Sequence, residues 1–466
     1  MNETNAWEKY GKKELDEVFA FGEDYRHFLS KNKIERECCA EAVKLAKKKG
    51  YKDLREVVKK KGKLKSGDKV YAVNMDKSIV LFHIGKKPLE DGMNIIGAHI
   101  DSPRLDIKQN PLYESDGMVL LDTHYYGGIK KYQWTTLPLA IHGVVCLADG
   151  TKINVTIGEE DTDPVMCVTE ILIHLAAEQL EKKGNKVVEG EALDLLVGNY
   201  SPKKKDKDKD SKDRIKKNIL SILEKKYGFK EEDFASSELE VVPAGPARNL
   251  GFDESMILGY GHDDKCCAYP SLIAQLELDA TPERTAVTLL VDKEEIGSVG
   301  ATGMTSNFFE NMVAELLDRM GAYSELTLRR ALANSAMLSS DVNSAFDVNY
   351  ASAFEKRNTS FLGRGIVITK FTGARGKSGS NDANAEYLAK VRNSFDKDKV
   401  VYQTAELGKV DVGGGGTIAY ILAKYGMEVV DCGIAVLSMH APYEVLSKAD
   451  LYEAKKAYKA FLVHMK

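Results

Sequence analysis

Residues 285–303 read TAVTLLVDKEEIGSVGATG, and the reading of this stretch decides the fold. Residues 286–291 are apolar and rich in β-branched side chains, the pattern of a buried strand. Two adjacent carboxylates, Glu294 and Glu295, and a glycine follow at its C-terminal end. Open α/β sheets bind ligands at that edge. Successive side chains of a strand point to opposite faces, so two neighbouring glutamates there can take different tasks, one holding a metal and the other handling a proton.

The same strand-then-helix rhythm runs along both ends of the chain. Upstream, the first fifty residues carry helical apolar spacing among Lys and Glu. KVYAVNMDKSIVLFHIG reads as a hairpin turning near Asp76 and Lys77, and residues 93–100 as a further strand leading into GAHIDSPRLDIK. Downstream, GHDDKCCAYPSLIAQLEL reads as a loop feeding a helix, and SNFFENMVAELLDRMG and NDANAEYLAKVRNSF as helices. SAMLSSD, GIVITKF, VVYQTAE and EVVDCGIAVLSMHAP read as strands, and ADLYEAKKAYKAFLVHM as a closing helix. This alternation predicts an α/β fold, a mostly parallel, doubly wound sheet covered by helices.

Between about residues 109 and 246 the character changes to short strand-like runs such as MVLLDT, PLAIHGVVCLA and KINVTIG in a Gly- and turn-rich background. The expected organisation is one discontinuous domain, residues 1–107 and 246–466, with a β-rich domain inserted at 108–245. The run SPKKKDKDKDSKDRIKKN, near 201–217, alternates in sign and reads as a solvated loop or flexible insert rather than a phosphate-binding patch.

The bulk numbers narrow the function. A formal net charge of -4 gives no electrostatic reason to expect nucleic acid or an anionic membrane as partner. No apolar run approaches the roughly 20 residues that span a bilayer. The opening MNETNAWEKYGKKELDE is too polar for a secretory signal. Seven cysteines without CxxC spacing read as reduced, buried thiols of a cytoplasmic protein rather than a thiolate metal site.

The chemistry-bearing residues sit where predicted strands end. His99 and Asp101 follow NIIGA, Glu294 and Glu295 follow TLLVD, Asp341 ends SAMLSSD, and His440 follows GIAVLSM; Asp263 and Asp264 precede a helix. Singly, each has an ordinary reading as a helix cap, a surface pair or a solvated side chain. Together they would converge on one sheet edge, where concentrated carboxylates repel one another unless cations neutralise them. Carboxylate oxygen and imidazole nitrogen suit zinc, manganese or cobalt, and the number of ligands suits two divalent ions about 3.5–4 Å apart. His99 and Asp101 lie two apart on an extended segment and face the same way, so Asp101 can hold the imidazole N–H and fix the ring.

The motifs GAHIDSPRLDIK, GHDDK, DKEEIGS, SSDVNSAFDVNY and SMHAPYEVL occur in the order and context of the aspartyl aminopeptidase family of two-metal, zinc-type metallo-aminopeptidases, which the chain resembles over nearly its whole length. The resemblance implies a phosphorylase/hydrolase-like catalytic domain with a co-catalytic metal pair. It implies an inserted domain that drives dimerisation, and dimers that assemble into a tetrahedral dodecamer around an internal chamber. Carried over, His99, Asp263 and Asp341 hold one ion, and Asp263, Glu295 and His440 the other, with Asp263 bridging. Glu294 is then the general base, and Asp101, which fixes the His99 ring, is counted with it as catalytic. Relatives often carry Asp-Asn where this chain has Asp263-Asp264, and the peptide bond after the bridging aspartate is expected to be cis. The implied reaction removes the first residue of peptides with a free N-terminus.

The family often prefers acidic first residues, which requires a cation facing the substrate side chain. Lys370, at the end of GIVITKF, is the first candidate; Arg375 and Lys377 lie in the basic loop TGARGKSGSN just beyond. That loop is longer and more basic than in well-known relatives, so a neutral or broad specificity is the alternative. His174, in TEILIHLAAEQL, matches a family histidine that reaches a neighbouring subunit's site; its ordinary reading is a helix-face residue at a dimer contact. Glycines 413–416 offer backbone N–H groups before a predicted helix but carry no nucleotide-binding signature. A non-catalytic scaffold would be expected to have lost the base or a ligand, and this chain has kept them all.

Overall fold

A computed structural model describes residues 4–203 and 212–466, which form two compact units. Of the described residues, the larger comprises 4–102, 247–439 and 444–466, and the smaller 103–203, 212–246 and the segment His440–Tyr443.

The larger unit is built on a nine-stranded sheet. Across it run Lys52–Asp53, Lys69–Asn74, Ser78–His83, Thr285–Val291, Met93–His99, Ala336–Ser339, Glu428–Gly433, Ile366–Thr369 and Tyr402–Thr404. The expected mostly parallel sheet is in fact mixed: five neighbouring pairs are parallel and three antiparallel. The antiparallel pairs arise at the hairpin Lys69–His83, at its junction with Thr285–Val291, and where Ile366–Thr369 runs against Glu428–Gly433. Met75 and Asp76 adopt positive φ (51° and 59°) and Lys77 N–H bonds the Asn74 carbonyl, which closes a tight turn between the paired residues Asn74 and Ser78.

The central strands Met93–His99, Thr285–Val291 and Ala336–Ser339 are buried along their whole length, as parallel strands covered on both faces must be. Alternate side chains feed two cores. Ile96, Ala98, Ala286 and Leu290 pack with residues of helices Lys12–Lys31, His262–Leu276 and Lys448–His464. Ile95, Val287 and Leu289 pack on the other face with residues of Phe308–Arg319 and Glu325–Ala333. A three-stranded antiparallel sheet, Arg248–Leu250, Met256–Gly259 and Glu444–Ser447, sets Gly259 opposite Glu444.

The smaller unit holds a seven-stranded sheet whose neighbouring pairs are all antiparallel among the described residues. Of the charged run near 201–217, residues 204–211 lie outside the described residues. Its C-terminal part is not a loop: it opens the helix Arg214–Tyr227, which buries Ile215. All seven cysteines are free; five are buried and Cys146 and Cys167 half-buried. No helix among the described residues is long and apolar enough to cross a membrane.

Candidate metal centre

Three parallel strands end side by side, and their ends carry the site. Val291 pairs in register with His99, and Ser339 with Gly97, so Glu294, His99 and Asp341 issue from one edge. Asp263 arrives from another direction, in the first turn of His262–Leu276, where Asp263 and Asp264 depart from helical φ/ψ. The peptide bond joining them is cis, as expected from the sequence.

His99 Nε2 lies 3.1 Å from Asp263 Oδ1 without hydrogen-bonding geometry, and 3.9 Å from both Glu294 Oε2 and Asp341 Oδ1. One ligand atom each from His99, Asp263 and Asp341 lies within 4.8 Å of the others, and the same holds for His99, Glu294 and Glu295. His99 and Asp263 are buried, whereas Glu294, Glu295 and Asp341 are half-buried. Burial of several like charges with a ring nitrogen aimed among them is costly for the protein alone, and a divalent cation relieves it. The donors are imidazole nitrogen and carboxylate oxygen, which fits zinc.

The electrostatics agree. Burial pushes the Asp341 carboxyl well above its usual range, and the nearby Glu294 carboxylate adds to the effect. Burial works against a charged His99 ring, yet the Asp101, Asp263 and Glu294 carboxylates overcome it and hold the imidazole well above its ordinary value. Both are the signature of too much negative charge in too little water.

Asp101 does more than the sequence suggested. His99 Nδ1 is 3.1 Å from its backbone carbonyl and 3.3 Å from Oδ1. Its two carboxylate oxygens also accept the backbone N–H groups of Glu294 and Glu295, each at 3.2 Å. One fully buried side chain therefore orients the histidine and both glutamates. Asp264 accepts the His99 backbone N–H at 3.3 Å through Oδ2.

Other supporting residues were not singled out from the sequence. Asp263 N–H donates to Glu444 Oε2 at 3.0 Å, and the Asp263 carbonyl accepts from Ser102 Oγ at 2.6 Å. His262 is buried between Tyr25 OH (2.8 Å to Nδ1) and the Ile257 carbonyl (3.1 Å to Nε2), and burial lowers it to about 3. Asp264, Cys266 and Cys267 form a further ligand-like group, but burial pushes the Cys266 thiol up to about 12. His440 belongs to the segment His440–Tyr443, with φ of 64° and Nδ1 2.9 Å from the Gly128 carbonyl oxygen.

Lys370 does not join the cluster. Its strand runs antiparallel to Glu428–Gly433, so Val367 pairs with Gly433, level with Asp341, and the chain then leads away from the edge that carries Asp341. The Lys370 ammonium instead meets Asp382 Oδ1 at 2.5 Å, and Lys377 meets Asp382 Oδ2 at 3.2 Å. The glycine run also differs from expectation: the helix after it is only Ala419–Ala423, and the N–H groups of Gly413 and Gly415 bond the carbonyls of Lys409 and Thr372. His174 sits in the short 3-10 helix Ile173–Leu175, among exposed Leu172 and Leu175.

Comparison with known proteins identifies the family. Residues 28–462 match the family model for aminopeptidase I zinc metalloproteases, M18. A probable M18 family aminopeptidase 1 of Clostridium acetobutylicum is 59% identical over 458 residues, covering 98% of this chain and 97% of that protein. An M18 family aminopeptidase structure from Thermotoga maritima superposes with a TM-score of 0.93 at 42% identity, covering 100% of both chains. The S. cerevisiae mApe1 dodecamer, at 20% identity, TM-score 0.75 and coverage of 96% of this chain and 97% of that one, shares the fold. Matched over residues 28–462 by the family model, and over 98–100% of its length by relatives in sequence and structure, the chain belongs to the M18 family of zinc metallo-aminopeptidases.

Proposed function

We propose that this aminopeptidase works with two divalent ions, zinc first among them. His99, Asp263 and Asp341 would hold one, and, as the family resemblance implies, Asp263, Glu295 and His440 would hold the other. The observation that carries this reading is the convergence of His99, Asp263 and Asp341 ligand atoms within 4.8 Å beside two further carboxylates. Ions bound there would supply Lewis acidity toward the scissile carbonyl and acidify a water.

The chain's own residues do the rest. Glu294, whose backbone Asp101 anchors, takes the proton of the attacking water and returns one to the leaving amine. Asp101 keeps the His99 ring turned so that Nε2 faces the carboxylates. The carboxylates also favour a positively charged substrate amine, which selects a free N-terminus and limits cleavage to the first residue. The decisive experiment is hydrolysis of aminoacyl substrates by chelated and zinc-restored protein. Turnover lost and then regained supports the reading; unchanged turnover after chelation overturns it.

For specificity, one observation favours a neutral or broad preference over an acidic one: Asp382 neutralises both Lys370 and Lys377. A panel of Asp-, Glu-, Leu- and Lys-aminoacyl substrates tests this, and a strong preference for Asp and Glu would contradict it. We further infer that the inserted region near 108–245 mediates self-association of a cytoplasmic enzyme, toward the dodecamer described for mApe1. The supporting observation is the exposed apolar run of Leu172 (57%), Ile173 (62%) and Leu175 (70%) around His174. Sedimentation of a Leu172→Ser/Leu175→Ser variant tests it: an unchanged oligomeric state would overturn this assignment.

A further inference from the structure

Lys265 lies two residues beyond Asp263, yet its side chain turns back toward the start of its own helix and is fully buried. Its Nζ donates to Ser102 Oγ at 2.6 Å. Ser102, itself 2% exposed, donates to the Asp263 carbonyl at 2.6 Å. The order of these bonds is determined by chemistry. A lysine ammonium offers donors only, so the hydroxyl must accept from it and turn its own proton to the carbonyl.

Space for this arrangement is reserved by Gly261. A Cβ there would stand 2.7 Å from Lys265 Nζ and 2.8 Å from Ser102 Oγ, and its φ of 76° suits glycine. The Lys265 ammonium also stands 5.5 Å from the centre of the Tyr260 ring, a favourable site for a cation away from water. On the opposite side of the same residue, Glu444 takes the Asp263 N–H at 3.0 Å. Side chains from two other segments therefore grip both backbone groups of Asp263.

We propose that Lys265 and Ser102 are positioning residues that act as one relay on Asp263, setting the carboxylate for metal binding. The inference rests on the assignment of Asp263 as a metal ligand. Neither residue touches substrate. Without Lys265 the Ser102 hydroxyl is free to rotate, and the Asp263 carbonyl loses a fixed donor. Groups that orient metal ligands typically change metal affinity by about 10–100-fold when removed.

The test is transfer of zinc from the loaded full-length enzyme to a chromogenic chelator, which yields the zinc dissociation constant without reference to turnover. Lys265→Met and Ser102→Ala should each weaken zinc binding by about 10–100-fold. Because they act through one chain of bonds, the double variant should be no weaker than the weaker single variant. Effects that multiply would overturn the relay, as would wild-type affinity in Ser102→Ala. Should Lys265→Met fail to fold, Ser102→Ala decides alone, since it removes no buried charge. Asp263→Asn in the same assay separates the two layers of the argument. If it weakens zinc binding while Ser102→Ala does not, the relay alone falls. If Asp263→Asn binds zinc normally, the ligand assignment falls and the relay with it.

Discussion

Gly433 lies so close to Asp341 that a Cβ at this position would stand 1.9 Å from the Asp341 carbonyl oxygen. The sheet edge carrying the candidate ligand therefore depends on a missing side chain one strand away. Gly433→Ala must push the Asp341 backbone aside, and overpacking of this kind costs about 1–3 kcal/mol. The variant should unfold at lower denaturant and hold zinc more weakly than the parent. Equal zinc affinity, measured by competition with a chelator, would show that Asp341 is not held from this side.

Glu294 is the residue on which turnover should depend most. Its Oε2 stands 3.9 Å from His99 Nε2, and its backbone is tied to Asp101 rather than to its own side chain. Glu294→Gln keeps the shape and removes the proton acceptor. It should retain zinc and fold while kcat drops by about 10²–10⁴-fold. Steady-state kinetics with metal content measured on the same sample check this, and a kcat near the parent's would remove Glu294 as the base.

His83 supplies a pH prediction away from the site. It ends the strand Ser78–His83 opposite Lys69, and burial, helped by the Lys69 ammonium, lowers it to about 4. An unfolded histidine takes up its proton near about 6.5, so the unfolded chain binds more protons between those values. This contribution to stability is present above about pH 6.5 and is lost as pH falls toward 4. His83→Gln should flatten the decline of the unfolding midpoint over that window. A decline as steep as the parent's would contradict the assignment.

Much of the site was legible because burial leaves a strong trace in parallel strands. The run 286–291 and residues 93–100 are apolar almost throughout, so the polar residues that follow them stand out as an edge. Strand direction leaves no such trace. Ile366–Thr369 is as apolar as its neighbours but runs the other way, which carries Lys370 away from the edge where a parallel strand would have delivered it. Charge also masked a helix: Ile215, Ile219 and Ile222 recur at helical spacing in Arg214–Tyr227, beneath a run of lysines that reads as loop. Ser102, Lys265 and Glu444 stand inside motifs that were read, but no spacing encodes the bonds of Ser102 and Glu444 to the Asp263 backbone or that of Lys265 to Ser102.

The central claim is a pair of divalent ions sharing Asp263, and counting bound zinc tests it most directly. Apo-protein titrated with zinc should bind about two ions per chain with high affinity. Asp263→Asn, which removes the shared carboxylate, should weaken both, whereas His440→Ala should spare one. A single high-affinity ion in the wild-type chain, or two undisturbed ions in Asp263→Asn, would contradict the account.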